Sequence, residues 1–270
     1  MNSEKAPVDT VKTAVITLSN EGAVLGVKLS SILNNPSVFL HASVQQRFSG
    51  IRFDRLLDIA SNIFGGFRRI VFIGPTGVAV RAFGPHAGHK TTDPAVVVVD
   101  VCGRYAISLL SGHEGGANEL AVLVANCLGA EPIITTTTEA RRNLIVGVGC
   151  RRDTHSSSIL DAITSTLSEA GLEVSNVRLI ASADIKSNES GLIEASRILG
   201  IPLRFIQSEE IRKDHYAFER SELVNSRVGL PAVAEPSAIL AGRRTELIIK
   251  KKKLGGVTIA VARENCTSSE

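Results

Sequence analysis

The stretch Pro94-Ala95-Val96-Val97-Val98-Val99-Asp100 indicates the fold most directly. Four consecutive valines suit a central strand that is buried on both faces, as in parallel sheets. Residues 13–18 and 69–73 have the same apolar character and predict two more buried strands. Because helical patterns alternate with these strands, we predict an α/β fold with a mostly parallel sheet flanked by helices.

The same alternation continues along the chain and predicts two α/β units. In the first, further strands are expected at 38–40, 105–110 and 132–136, and helices at 22–33, 51–63, 78–83 and 120–128. In the second, strands are expected at 144–148, 177–181, 203–206, 247–249 and 257–262, and helices at 156–170, 189–199, 208–211 and 233–240. We therefore predict an N-terminal domain at 11–140, a linker near 139–143, a C-terminal domain at 143–264, and flexible tails at 1–10 and 265–270.

Composition narrows the classes of partner. Apolar residues make up 44% of the chain, but aromatic residues only 4%, which disfavours single-stranded nucleic acid binding. The formal charge of +3 fits an anionic small molecule better than DNA. The run Lys250-Lys251-Lys252-Lys253 could be a nucleic-acid or membrane patch, but a solvated edge strand is the simpler interpretation.

The cysteines and the N-terminal residues predict the compartment. Cys102, Cys127, Cys150 and Cys266 are scattered, with no C-x-x-C pair, as expected in a reducing environment. Residues 1–10 lack the apolar core of a signal peptide, and no apolar run is long enough to span a membrane. We expect a cytoplasmic protein that binds neither membrane nor nucleic acid.

The strongest candidate site is Ser111-Gly112-His113-Glu114-Gly115-Gly116-Ala117-Asn118, called here the SGHEGGAN loop. It opens a helix, so its glycines and N–H groups suit a carboxylate or phosphate. His113 can act as an acid or base near neutral pH, and Glu114 could orient it, activate water or serve the helix dipole. Asn118 can both donate to and accept from a ligand. The alternative is a tight turn with an incidental histidine.

Two further candidate sites lie in the first unit. Gly74-Pro75-Thr76-Gly77 resembles a phosphate-binding turn but lacks the Lys-Ser/Thr of a P-loop. Arg81, one helical turn later, could bind a carboxylate. Lys90 and Asp93 precede the valine strand. His86 and His89 lie nearby, but their spacing alone does not define a metal site, so we predict none.

The second unit has two polar loops that follow predicted strands. Gly149, Cys150 and Arg151 belong to the first, in which arginine can bind carboxylates and the cysteine lacks a clear partner base. The second loop contains Asp184 and Lys186, followed by Glu189. These three could form ion pairs, cap a helix or contact substrate.

Several of these motifs together resemble the CbiG family of cobalt-precorrin-5A hydrolases, from cobalamin (vitamin B12) biosynthesis. In the first unit they are "DPAVVVVD", "LLSGHEGGAN" and "PIITT". In the second they are "VGVGCRRDTHSSSI", "SADIKSNESGLIEAS", "GIPLRF", "VGLPAVAEPSA" and "GGVTIAVAR". The resemblance covers most of residues 11–263. It departs in two respects: the family's extra segment between the domains is missing or reduced between Thr138 and Leu144, and His86 and His89 are not expected.

The resemblance implies a substrate and a reaction. The substrate would be a cobalt-bearing tetrapyrrole with a δ-lactone and many carboxylate arms. The family opens the lactone with water and releases acetaldehyde, giving cobalt-precorrin-5B. No separate organic cofactor is implied, because the macrocycle accepts the electrons and the cobalt enters as part of the substrate. A homodimer and transient contact with neighbouring pathway enzymes stay open as partners.

We hypothesise that His113, aided by Glu114, takes a proton from water. The N–H groups of Gly115 and Gly116 would hold a developing oxyanion or a substrate carboxylate, while Lys90 and Arg81 would neutralise acid arms. The other residues predicted to bind substrate are Gly74, Thr76, Gly77, Asp93, Ser111, Gly112, Asn118, Gly149, Cys150, Arg151, Asp184, Lys186 and Glu189.

Two rival functions use the same residues. The first is a non-catalytic module that binds corrinoids or other polycarboxylates, and ligand binding without acetaldehyde release would favour it. The second is a nucleotide- or phosphate-binding enzyme, suggested by the 74–77 turn alone. The absence of the P-loop lysine argues against the second.

Overall fold

The computed structural model describes residues 11–213 and 232–265. The chain divides into two compact units, Met1–Thr136 and Thr137–Glu270. Tails were expected at 1–10 and 265–270, and residues 1–10 and 266–270 lie outside the described residues, as do Cys266 and the first residues of the "VGLPAVAEPSA" motif.

A seven-stranded sheet forms the first unit. In chain order its strands are β1 (Thr13–Thr17), β2 (Ser37–His41), β3 (Ile51–Phe53), β4 (Arg69–Ile73), β5 (Ala95–Val99), β6 (Tyr105–Leu110) and β7 (Glu131–Ile133). Their order in the sheet is β3-β2-β1-β4-β5-β6-β7. Neighbouring strands are parallel except β5 and β6, which pair antiparallel.

Helices cover both faces of this sheet. They are α1 (Asn20–Ser30), α2 (Leu56–Gly66), α3 (Thr76–Phe83) and α4 (Ala117–Leu128). Val96 and Val98 of β5 belong to the core cluster with residues of α2 and α3, whereas Val97 and Val99 pack with residues of α1 and α4. Because side chains alternate across a strand, the valine run supplies both cores at once. This confirms the predicted fold class.

Two predictions in the first unit were wrong. Residues 51–63 form the short strand β3 followed by α2, because a short apolar run does not by itself separate strand from helix. Ile51 is consequently 54% exposed on an edge strand. The strand predicted at 132–136 is β7, which ends at Ile133, so Thr135 and Thr136 follow it.

The second unit contains a five-stranded sheet in the order β10-β9-β8-β12-β11. The strands are β8 (Leu144–Cys150), β9 (Val177–Ala183), β10 (Leu203–Ile206), β11 (Thr245–Leu254) and β12 (Val257–Glu264). The helices are α5 (Thr137–Ala140), α6 (Ser156–Glu169), α7 (Ser190–Leu199), α8 (Ser208–Lys213) and α9 (Ala234–Leu240). β8, β9 and β10 are parallel, while β12 runs antiparallel to both β8 and β11.

Glycines allow close packing in the second unit. A Cβ at Gly147 would lie 1.9 Å from the carbonyl oxygen of Ala234, so only glycine lets α9 lie directly against β8. Gly149 and Cys150 belong to β8, whereas residues 149–154 had been expected to form a loop. Gly171 and Gly200 follow α6 and α7 in the left-handed conformation, with φ of +67° and +64°, as is common at helix C-termini.

The lysine run lies on β11, at the edge of its sheet, as expected from the sequence. Lys252 forms an ion pair there with Glu169 of α6. Within residues 11–213 and 232–265, no helix is long and apolar enough to cross a membrane.

Candidate active site

The SGHEGGAN loop connects β6 to α4, and the direction of β6 decides where the loop lies. Val96 near the start of β5 pairs with Leu110 at the end of β6. Because the two strands are antiparallel, the loop lies at the sheet edge where β5 begins. β7 runs parallel to β6, so Thr136, which follows it, lies at the same edge.

Backbone geometry makes the loop a compact turn onto the helix. Ser111 has φ of +58°, which is uncommon for a residue other than glycine, and Gly116 has φ of +86°. The N–H groups of Ala117 and Asn118 donate to the carbonyl oxygens of Ser111 and Gly112, at 3.1 and 3.0 Å. A Cβ at Gly115 would lie 2.3 Å from the Cβ of Ser111, so this turn requires glycine.

The start of α4 presents donors to an anion. No side chain of the described residues caps this helix. Within residues 11–213 and 232–265, no hydrogen bond uses the N–H groups of Gly115 and Gly116. These N–H groups and the positive end of the helix dipole favour a carboxylate or an oxyanion.

Ser111 is the buried polar side chain of the loop. It is 8% exposed, and its Oγ has no hydrogen-bond partner among the described residues. An unpaired hydroxyl in a buried position costs free energy and calls for an explanation. The Ser111 hydroxyl is therefore a buried group without a partner among the described residues, at the turn onto α4.

Glu114 forms an ion pair with Lys90, in the loop that precedes β5. The Lys90 Nζ and Glu114 Oε1 atoms are 2.5 Å apart. The hydrogen bond from Lys90 is the main cause that lowers the pKa of Glu114. A hydrogen bond from the backbone N–H of Glu114 and the charges of Lys90 and His113 lower it further. Burial raises the pKa, by less than either hydrogen bond lowers it. The carboxylate is therefore ionised at neutral pH, and it is a weaker base than an ordinary glutamate.

His113 is exposed on the same loop, next to Glu114. The loop that precedes β5 holds two of the other predicted residues: Lys90, whose side chain is 64% exposed, and Asp93. Asp93 Oδ2 accepts a hydrogen bond of 2.8 Å from the N–H of Gly88, so this carboxylate stabilises its own turn. The structure thus brings His113, Glu114 and Lys90 to one edge of the sheet.

Asn118 lies below the loop. It is 2% exposed, and both ends of its amide are paired. Oδ1 accepts from the Ser108 hydroxyl at 2.9 Å, and Nδ2 donates to Thr136 Oγ1 at 3.1 Å. Its predicted contact with substrate stays a prediction. Neither Ser108 nor Thr136 was predicted to act at the site, because the sequence analysis placed both within strands, whereas Thr136 comes three residues after the end of β7.

The 74–77 turn lies at the opposite edge of the same sheet. It follows β4, which is parallel to β5, so it lies where β5 ends, and the N–H of Gly74 donates to Val99 O at 2.9 Å. A five-residue strand spans about 17 Å. Arg81 Nη1 donates back to Gly77 O at 3.3 Å. The expectation that Gly74, Thr76, Gly77 and Arg81 act with the SGHEGGAN loop is therefore not supported by the sheet topology.

The second unit has its own polar edge, where the parallel strands β8, β9 and β10 end. Lys186 Nζ lies 2.9 Å from Glu189 Oε1, and the N–H of Asp153 donates to Glu189 Oε2 at 3.1 Å. Burial raises the pKa of Glu189, but these hydrogen bonds and the charges of Lys186 and Arg152 outweigh it, so the pKa is lowered overall. Asp184 accepts a hydrogen bond from Ser208.

Cys150 and Arg151 lie at the same edge. Burial raises the pKa of the Cys150 thiol, with a smaller lowering by Lys186, so the reactive thiolate is disfavoured. His155 accepts from the N–H of Ser157 at the start of α6, and its ring is used as a cap. A Cβ at Gly256 would lie 3.4 Å from Arg151 Cδ, so the Arg151 side chain extends along the β11–β12 turn.

No group of three or more His, Cys, Asp or Glu side chains in the described ranges is arranged to hold a metal ion. His89 Nδ1 is hydrogen-bonded to Thr91 Oγ1 at 2.8 Å, and the His86 ring lies 6.1 Å from that of Phe64. The structure thus gives each of these two histidines a contact that does not involve a metal.

Both units match known protein families. The family described as cobalamin synthesis G N-terminal matches residues 58–139, and the family described as cobalamin synthesis G C-terminus matches residues 144–262. Protein CobE from Sinorhizobium sp is 30% identical over 128 residues, which cover 47% of this chain and 83% of CobE.

Two relatives match nearly the whole chain. A cobalt-precorrin-5A hydrolase of Salmonella typhimurium is 25% identical over 350 residues, covering 94% of this chain and 99% of the relative. A cobalt-precorrin-5A hydrolase of Priestia megaterium is 24% identical over 367 residues, covering 96% and 97%. Both alignments are longer than the chain's 270 residues, so both relatives contain segments that this chain lacks. The chain belongs to the cobalamin synthesis G family and contains both its N-terminal and its C-terminal domain.

Proposed function

We propose that this chain hydrolyses cobalt-precorrin-5A, opening its δ-lactone and releasing acetaldehyde to give cobalt-precorrin-5B. One observation carries the proposal: relatives named cobalt-precorrin-5A hydrolase align with 94% and 96% of this chain and with nearly all of their own length. Both domains of the family are therefore represented in this chain.

The geometry of the SGHEGGAN loop suits lactone hydrolysis. Attack of water on a lactone carbonyl needs a base for the proton and donors for the developing negative charge. The N–H groups of Gly115 and Gly116 are proposed as these donors, because no described residue occupies them. Ser111 Oγ, which has no partner in the described part of the chain, adds a third candidate donor at the same turn.

His113 is the proposed base. Glu114 is a weaker candidate, because its hydrogen bond with Lys90 lowers its pKa and so reduces its affinity for a proton. Its proposed role is to fix Lys90, whose ammonium group neutralises a carboxylate arm of the substrate. Activation of water is therefore assigned to His113 and not to Glu114.

The second unit offers Arg151 as a carboxylate-binding side chain, since guanidinium groups bind carboxylates through paired hydrogen bonds. Lys186 and Glu189 already pair with each other. Their proposed role is to shape the edge, with Asp184 and Ser208. Substrate contacts of Gly149, Cys150 and Asp184 stay predictions.

The substrate itself supplies the cobalt and accepts the electrons, so we propose no separate cofactor, and we place the reaction in the cytoplasm.

The polycarboxylate-binding module has no observation in its favour. The alternative function as a nucleotide-binding enzyme depends on the 74–77 turn. This turn lies at the sheet edge opposite the SGHEGGAN loop. A thermal shift with nucleotides would revive this alternative.

The test is an assay of the purified chain with cobalt-precorrin-5A under anaerobic conditions. We expect acetaldehyde and cobalt-precorrin-5B in equal amounts, at a rate that scales with the concentration of the protein. Substrate binding without acetaldehyde would instead identify a binding module. A sample denatured by heat provides the background rate.

A further inference from the structure

Two hydroxyl side chains outside the predicted site support the SGHEGGAN loop from within the first unit. Ser108 Oγ on β6 donates to Asn118 Oδ1 at 2.9 Å, and Thr136 Oγ1 after β7 accepts from Asn118 Nδ2 at 3.1 Å. Asn118 is in the first turn of α4. A single buried amide therefore connects the loop and helix to β6 and to the segment that follows β7.

This amide depends on both partners. Asn118 is 2% exposed, so water does not replace a hydroxyl that is removed. A buried amide that loses a partner is costly, and the structure then shifts to satisfy it. Thr136 also contacts the loop directly, because a Cβ at Gly112 would lie 2.6 Å from Thr136 Cγ2.

The loop needs such support, because its backbone is strained. Ser111 has a left-handed φ of +58°, a conformation that persists only where surrounding contacts fix it. The N–H of Asn118 donates to Gly112 O, so a shift of Asn118 moves the glycine beside His113. The amide is therefore placed to transmit a change at Thr136 to the proposed base.

We propose that Ser108 and Thr136 are positioning residues, which act through Asn118 to hold the SGHEGGAN loop in the form that carries out the reaction. This inference rests on the proposed function of the loop. Thr136 is also the last residue of the first unit, so the support lies where the chain leaves that unit.

The first test is Thr136→Val, which keeps the shape of the side chain and removes its hydroxyl. We expect kcat to fall about tenfold with a smaller change in KM, because the loop populates its active form less often. Thr136→Ser, which restores the hydroxyl, should recover most of kcat. Thr138→Val is the matched control, since Thr138 is exposed and takes no part in these hydrogen bonds.

A second readout does not depend on activity. Hydrogen exchange at the N–H groups of Ala117 and Asn118 should become about tenfold faster in Thr136→Val and in Ser108→Ala, but not in Thr138→Val. If the wild-type chain releases no acetaldehyde, the proposed function fails while the exchange measurement still decides whether the hydroxyls support the loop.

Three results would overturn the inference. One is wild-type kcat in folded Thr136→Val and Ser108→Ala. The second is an equal loss in Thr136→Val and Thr136→Ser, which would assign the effect to the methyl group. The third is unchanged exchange at Ala117 and Asn118. Should Thr136→Val fail to fold, Ser108→Ala tests the same amide from its other end.

Discussion

Lys90 and Glu114 form an ion pair across two loops that are 24 residues apart in the chain. Lys90 precedes β5 and Glu114 precedes α4, so the pair connects the two loops at the edge where β5 begins. Their side chains are 64% and 38% exposed, so the pair contributes little to stability. The pair instead fixes a position: it holds the Lys90 ammonium group on Glu114, the residue that follows the proposed base in the chain.

The lowered pKa of Glu114 predicts how this contact depends on pH. Since the pKa in the folded protein lies below its ordinary value of 4.5, the contact is complete above that value and is lost as the pH falls through the folded pKa. Titration of the Glu114 carboxyl by NMR should give a midpoint below 4.5, which Lys90→Met shifts upward. Equal midpoints in the two proteins would contradict the ion pair, and Lys250→Met controls for net charge.

His113→Ala and His113→Asn test the assignment of the base. Loss of a general base typically lowers kcat about 10²–10⁴-fold. We expect a loss in this range, with KM changed much less. Steady-state rates of acetaldehyde release over a range of substrate concentrations measure both. Wild-type turnover in both variants would remove His113 from the mechanism.

The fold was predicted correctly from the sequence where a residue pattern is compatible with only one kind of structure, as a run of valines is with a strand that is buried on both faces. The side chains of Val96 to Val99 alternate between the two faces of the strand, so both faces are apolar. The structure buries all four side chains between two layers of helices. The pattern does not encode the direction of a strand. The antiparallel pairing of β6 with β5 could therefore not be predicted. Because this pairing places the SGHEGGAN loop at the edge opposite Arg81, their separation could not be predicted either.

The site was predicted as far as local sequence allowed. The glycines, His113 and Glu114 are close together in the chain, and the helix start that they form was expected. The partners of Asn118 and Glu114 come from β6, from the residues after β7 and from the loop before β5. Such contacts depend on tertiary structure, which a pattern within one short segment does not specify.

Gly115→Ala should damage the loop more than Gly116→Ala. A Cβ at Gly115 meets Ser111 Cβ at 2.3 Å, whereas at Gly116 the nearest atom is 3.8 Å away and only the positive φ is unfavourable. We expect Gly115→Ala to lower the free energy of unfolding by about 1–3 kcal/mol and kcat by more than tenfold. Urea unfolding and the acetaldehyde assay measure these effects.

Gly171→Ala provides the control for this comparison. Like Gly116, Gly171 has a positive φ, of +67°. A Cβ added at Gly171 would have no atom within 4 Å, and the residue lies in the second unit. It should cost about 1 kcal/mol of stability through strain alone and leave kcat unchanged. Equal activity of Gly115→Ala and Gly171→Ala would mean that the loop tolerates the extra atom.

Gly147→Ala should destabilise the second unit. The added Cβ would lie 1.9 Å from the Ala234 carbonyl oxygen, which belongs to the backbone of α9, so the helix must move away from β8. Overpacking of this kind costs about 1–3 kcal/mol. Gly149→Ala, whose nearest contact is 3.5 Å, should cost less. Thermal unfolding of the two variants decides the order, and a reversed order contradicts the packing described for α9.

The most direct test of the proposed hydrolysis is a single turnover of cobalt-precorrin-5A in water enriched in ¹⁸O. The account predicts one acetaldehyde for each substrate consumed and one ¹⁸O atom in the carboxylate that the lactone releases, with both signals lost in His113→Ala. Substrate that stays bound and intact, or a product carboxylate without ¹⁸O, would contradict it.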